Sequence, residues 1–148
     1  MAELPVMTGA ELKAAREYLG LSWSWTAEYL QCDERRLQRM EVDQEVVPAA
    51  IAGAIDDLYE ETADYVRRMI DKYRSQVEAR GDGVTFATYR SDTEYQKANK
   101  HGRFQARWHR MAAQRIVDAV PGVILVYEEP HRVNRRPWLG DKRQAARR

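Results

Sequence analysis

Cysteine, histidine, phenylalanine and proline are all scarce: one, three, two and five among 148 residues. The single thiol, Cys32, cannot close an internal disulfide, which excludes a disulfide-stapled scaffold and leads us to expect a reducing compartment. His101, His109 and His131 are scattered and lack cysteine partners, so no zinc spacing is present. No apolar run approaches the roughly 20 residues needed to cross a bilayer, and no basic-then-apolar leader opens the sequence. A soluble, cytoplasmic chain without a membrane partner is therefore expected. Also missing are a phosphate loop, a nucleophile arrangement, a paired acid and base, and a metal set, so neither an enzyme nor a cofactor is expected. His109, between Trp108 and Arg110, reads as a surface histidine, and Cys32 as an inert core thiol.

What the sequence does have is charge, unevenly placed. Residues 1–64 carry 14 acidic and 5 basic side chains, net −9, whereas residues 65–148 carry 9 acidic and 19 basic, net +10. Segregation of this size implies either a polyanionic partner or attraction between the halves. Residues 131–148 hold seven lysines and arginines against one acid and read as a mobile basic tail.

The pattern along the chain is mostly helical. After a loose leader over residues 1–7, Thr8 with Glu11 forms a capping-box signature for a helix to about Leu19, stopped by Gly20. Ser22 caps a second helix, Trp23 to Leu30, and Asp33 a third, Glu34 to Val42. Pro48 opens a long helix to about Ala79, where Ile51, Ile55, Leu58, Thr62, Val66, Met69, Tyr73 and Val77 make one unbroken stripe. Gly81-Asp82-Gly83 breaks it. Val84 to Tyr89 then has strand composition, Ser91 or Asp92 caps a short helix to about Ala98, and Phe104 to Val120 is helical. The apolar run Val123 to Tyr127 reads as a strand buried on both faces or paired across a dimer. The expected fold is thus mainly α: a helical head over residues 8–47, a long helix over 48–80, a small α+β dimerisation segment over 81–130, and the tail over 131–148.

The stretch from Leu12 to Pro48 carries more than helices. Leu12, Lys13, Arg16, Gly20, Leu21, Ser22, Ala27, Leu30, Cys32, Asp33, Leu37, Glu41 and Pro48 fall in an order and spacing that resembles the lambda-repressor-like, or XRE-family, helix-turn-helix. Trp23 stands where that family usually has glutamine, Thr26 where leucine is usual, and Met40 where an aromatic is frequent. The element order beyond Pro48, with Tyr89, Glu94-Tyr95 and Trp108, is similar to anti-CRISPR-associated repressors, which add a C-terminal dimerisation piece to such a head. These resemblances imply a homodimeric repressor that binds an inverted repeat in double-stranded DNA through its third helix.

In residue terms, Ala27 is small where the second and third helices would cross, Cys32 fills the turn, and Leu37 anchors the third helix. Trp23, Ser24, Glu34, Arg35, Arg36, Gln38 and Arg39 are then left for the DNA. Arg35, Arg36 and Gln38 are placed at base edges, since arginine matches guanine and glutamine matches adenine through paired hydrogen bonds; Arg39 and Trp23 are placed nearer the backbone. Leu58, Val66, Met69, Tyr73, Trp108, Ile124 and Val126 are the residues expected at the dimer interface. Two alternatives use the same features. The chain could be an antitoxin that binds both DNA and a partner toxin protein, or an RNA-binding protein that uses the basic C-terminal half.

Overall fold

The computed structural model describes residues 6–128; the tail over 131–148 and most of the leader lie outside them. Helix α1 (Gly9–Tyr18) starts where the sequence places it. Thr8 Oγ1 accepts from Glu11 N at 3.0 Å while Thr8 N donates to Glu11 Oε1 at 2.9 Å, so the capping box is complete. Ser22 and Asp33 cap α2 (Trp23–Leu30) and α3 (Glu34–Glu41) in the same way, each accepting from the backbone N–H three residues on. The long helix α4 runs Ala49–Arg80, and β1 (Val84–Thr88), α5 (Asp92–Ala98), α6 (Ala106–Ala119) and β2 (Val123–Tyr127) follow. The chain is mainly α with a small two-stranded sheet.

The chain divides into two units between Ala63 and Asp64, inside α4 rather than at either of its ends. In the first unit α1 and α2 both pack on α3. Leu12, Leu19, Leu21, Leu37, Met40, Ile55 and Leu58 are fully buried there. The start of α1 approaches the end of α3 so closely that a Cβ on Gly9 would sit 2.3 Å from Met40 O and 2.6 Å from Asp43 Oδ1. Gly9 N uses that proximity, donating to Asp43 Oδ1 at 2.9 Å.

In the second unit β1 and β2 pair in parallel, with Val84 opposite Val123 and Thr88 opposite Tyr127. A parallel pair needs a crossover connection, and α5 and α6 supply it. α6 lies against both strands. Asp92, at the start of α5, accepts from Ala106 N at 2.8 Å and so caps α6, whose own N-cap residue, Gln105, gives no side-chain cap. Val66, Phe86, Ala112, Ala113, Ile116, Val117, Val120 and Val123 form the core, and Met69, Tyr73, Val77 and Leu125 pack partly buried against it.

Two sequence expectations change here. Leu58 is 0% exposed and Val66 4%, so neither of these two residues offers surface to a second copy. Trp108, also 4% exposed, stacks on Phe104 inside the second unit. The second correction concerns β2, whose strand partner is the chain's own β1; Val123 and Leu125 face the core while Ile124 and Val126 stay half-buried on the other face.

Candidate nucleic-acid interface

A turn of three residues separates α2 from α3. Gln31 adopts left-handed backbone (φ 57°), Cys32 N donates back to Ala27 O at 3.0 Å, and Asp33 begins the next cap. The αL stop satisfies carbonyls at the end of α2 and redirects the chain without a longer loop. Ala27 is buried at 3% exposure, consistent with a side chain kept small where two helices are joined so tightly. Cys32 is half-buried; burial is the leading influence on its thiol and pushes its pKa up, away from the reactive thiolate.

On α3 the buried and exposed residues separate cleanly. Leu37, Met40 and Glu41 face inward, and Glu34, Arg35 and Arg39 are exposed, with Arg36 and Gln38 intermediate. At 100° per residue, Arg35, Gln38 and Arg39 fall in one stripe opposite the buried side, and Arg36 flanks it. Arg35 and Gln38 make no hydrogen bond or ion pair with a described residue. Arg36 does: its Nε donates to Glu45 Oε2 at 2.7 Å, and Arg39 Nη2 lies 3.9 Å from Glu45 Oε1. The hydrogen bond and charge of Glu45 push the Arg36 guanidinium further toward its charged form.

The inward side of α3 holds an arrangement that is not among the sequence expectations. Arg16 and Glu41 are 6% and 5% exposed and meet through two bonds, Nε to Oε2 at 2.7 Å and Nη2 to Oε1 at 3.0 Å. Arg16 Nη1 also donates to Leu21 O at 3.0 Å. Trp23 closes the group: its indole N–H donates to Glu41 Oε1 at 3.1 Å, and the Arg16 guanidinium lies 5.0 Å over its ring. Trp23 was expected near a DNA backbone. It is 42% exposed, but its one polar hydrogen is committed inside the chain, which leaves only ring surface to offer outward. Ser24, next along α2, is exposed. The signal for this network was present in the sequence, since Arg16 sits within the apolar stripe Leu12, Ala15, Leu19 of α1. A charge in a core-facing stripe requires a buried partner.

The second unit corrects the reading of His109. It is 6% exposed rather than on the surface, with Nδ1 2.8 Å from Thr88 Oγ1 and Nε2 3.4 Å from the Tyr65 hydroxyl. Tyr65, Phe86, Tyr89, Tyr95 and Trp108 surround its ring. Burial, with the nearby Arg110 charge, pulls its pKa down to about 4, so the ring is neutral at pH 7. A hydroxyl beside an imidazole is a nucleophile-and-base pairing, yet Thr88 at 3% exposure is sealed away from any substrate. Burial likewise pushes the Tyr65 hydroxyl up to about 12.

Ile124 and Val126 share the outer sheet face with Thr85 and Ala87, their partners in the strand register. Among the described residues no cluster of three or more His, Cys, Asp or Glu side chains could hold a metal ion. No described helix is long and apolar enough to cross a membrane. No family model and no curated protein sequence matches the chain.

Proposed function

We propose that the protein is a sequence-specific DNA-binding regulator that reads the major groove with α3 and acts as a homodimeric repressor in the cytoplasm. The observation that carries this reading is the division of α3 into a buried side anchored by Leu37 and Glu41 and an outward stripe of Arg35, Gln38 and Arg39. An α-helix fits the roughly 12 Å width of the major groove, and arginine and glutamine are the side chains whose paired donors and acceptors match guanine and adenine. The short α2–α3 turn and the N-cap at Asp33 bring the first turn of α3 to the front, where base contact is made in this docking mode. The resemblance of Leu12 to Pro48 to the lambda-repressor-like family supports the same reading.

A second copy would double the interface and place two α3 helices about one DNA turn, roughly 34 Å, apart, so the site would be a near-palindrome. We assign that copy to the outer sheet face carrying Ile124 and Val126, a reading supported by two apolar side chains that the single chain leaves half-buried. Exposed Lys97, Lys100, Arg103 and Arg107 of the second unit would add sequence-independent phosphate attraction.

Selection from a pool of randomised duplexes tests the proposal. The wild-type protein should enrich an inverted repeat, and Arg35→Ala should lose enrichment while keeping the wild-type unfolding midpoint. A chain that enriches no duplex, or that binds RNA hairpins more tightly than any duplex at equal salt, would overturn it.

A further inference from the structure

Glu45 sits in the short loop after α3, and three fixed points hold it there. Gln44 N donates to Arg39 O at 2.9 Å, Asp43 N to Met40 O at 3.3 Å, and Val47 is buried at 4% exposure. The carboxylate is therefore placed by the backbone of α3 itself, and it meets Arg36 Nε at 2.7 Å. Both side chains are more than a third exposed, 39% for Arg36 and 34% for Glu45, and surface ion pairs of this kind contribute little to stability. The pair needs another explanation, and the proposed interface supplies one.

We propose that Glu45 is a specificity-determining positioning residue, holding Arg36 by its Nε so that only the outer fork of its guanidinium faces the groove. This rests on the reading of α3 as a major-groove helix. Arginine can present either its Nε edge or its terminal Nη1/Nη2 edge to a base, and Glu45 takes the first. The terminal edge has no acceptor among the described residues and matches guanine O6 and N7. The carboxylate also changes what Arg36 is good for. A free arginine on a DNA-facing helix settles readily on a phosphate, a contact that strengthens binding to every sequence alike. A negative charge bonded to that arginine, with Asp33 and Arg39 as the other charged groups beside it, repels phosphate oxygens and weakens the sequence-independent mode. Discrimination improves here through an element that disfavours the wrong complex. Holding the side chain in advance also lowers the ordering cost of the right one.

The test uses the full chain, the duplex enriched from the random pool, every single-base-pair substitution of it, and an unrelated duplex of equal length. Glu45→Ala is expected to bind the unrelated duplex several-fold more tightly than wild type. At one G·C pair of each half-site, its preference should fall from about tenfold toward twofold. Glu45→Gln keeps the acceptor oxygen and loses the charge, so unrelated-duplex affinity should rise as in Glu45→Ala while more of the guanine preference survives. In an Arg36→Ala background, Glu45→Ala should leave the base preference where Arg36→Ala set it. A uniform loss of affinity for all duplexes would mark Glu45 as merely structural and overturn the proposal. So would an unchanged preference. A wild-type chain with no base preference at all would overturn both this proposal and the reading of α3, whereas a discriminating wild type with an indifferent Glu45→Ala would overturn this one alone.

Discussion

Arg16 on α1 and Glu41 at the end of α3 face each other across 25 residues of sequence, joined by two hydrogen bonds in an interior that admits almost no water. Two further bonds complete the group, Arg16 Nη1 to Leu21 O and the Trp23 indole N–H to Glu41 Oε1. A buried ion pair of this kind does little for net stability, because desolvation offsets attraction, but breaking it strands a charge. Arg16→Ala and Glu41→Ala should each cost about 3–5 kcal/mol in urea unfolding. An Arg16→Met, Glu41→Leu double variant should cost clearly less than either single change. Equal or larger loss in the double variant would show that the pair contributes more than its own charge compensation. Trp23 fluorescence should shift in all three, since its indole N–H loses its acceptor wherever Glu41 is replaced and its ring loses the overlying guanidinium wherever Arg16 is.

Thr26 gives the opposite case. Its side chain is 0% exposed and its hydroxyl Oγ1 has no hydrogen-bond partner. An unmet buried hydroxyl costs about 1–3 kcal/mol, and valine has nearly the same shape. Thr26→Val should therefore raise stability by about 1 kcal/mol, visible as a higher unfolding midpoint at unchanged m-value. A lower midpoint would mean the hydroxyl is satisfied.

His109 makes the second unit pH-sensitive. Its folded pKa is about 4 against an ordinary 6.5. Above pH 6.5 the ring is neutral in both states and contributes no slope. Between 6.5 and 4 the unfolded chain takes up a proton that the folded chain refuses, so stability falls as pH falls, by up to about 3 kcal/mol. Urea unfolding at pH 7.5 and pH 4.5 should show wild type losing more stability than His109→Gln over the same interval. Equal losses would show that the buried ring is not what titrates.

The outer sheet face is open to direct challenge. Ile124 and Val126 are half-buried on the side away from the core, so charges there should spare the fold of a single chain. Ile124→Glu with Val126→Lys should convert a dimer to a monomer by light scattering, with helix content kept. Persistence of the dimer would place the contact elsewhere.

Much of the fold was legible because caps and breakers act locally. Thr8, Ser22, Asp33 and Ser91 each set a helix start through a bond to a residue three positions on, and β2 runs Val123–Tyr127 as its apolar run indicates. What was not legible depends on residues distant in sequence. Composition could not show that β1 would pair with β2, and without that pairing Val66 and Trp108 read as dimer-interface residues. The same holds for His109, which lies 21 residues from Thr88 and 44 from Tyr65. At the candidate interface, burial of Leu37 and exposure of Arg35 followed from helical periodicity. The commitments of Arg36 to Glu45 and of Trp23 to Glu41 did not, because the first hinges on where the loop after α3 turns back and the second on how α2 packs against the end of α3.

The parallel register of β1 with β2 also orders events at the ribosome. The contacts that fix α1 against the end of α3 span 34 residues at most between Gly9 and Asp43, so every residue that makes them has been synthesised once that stretch has emerged. The ladder of the second unit pairs Val84 with Val123, so during synthesis β1 waits with an unsatisfied edge until Val123–Tyr127 has been made. An emerging chain would therefore have all the residues of the α1–α3 contact while its first strand still has nothing to pair with. Interrupted translation would release that half-built state, and Phe86, 3% exposed in the finished unit, is one of the side chains it would leave uncovered to water and proteases.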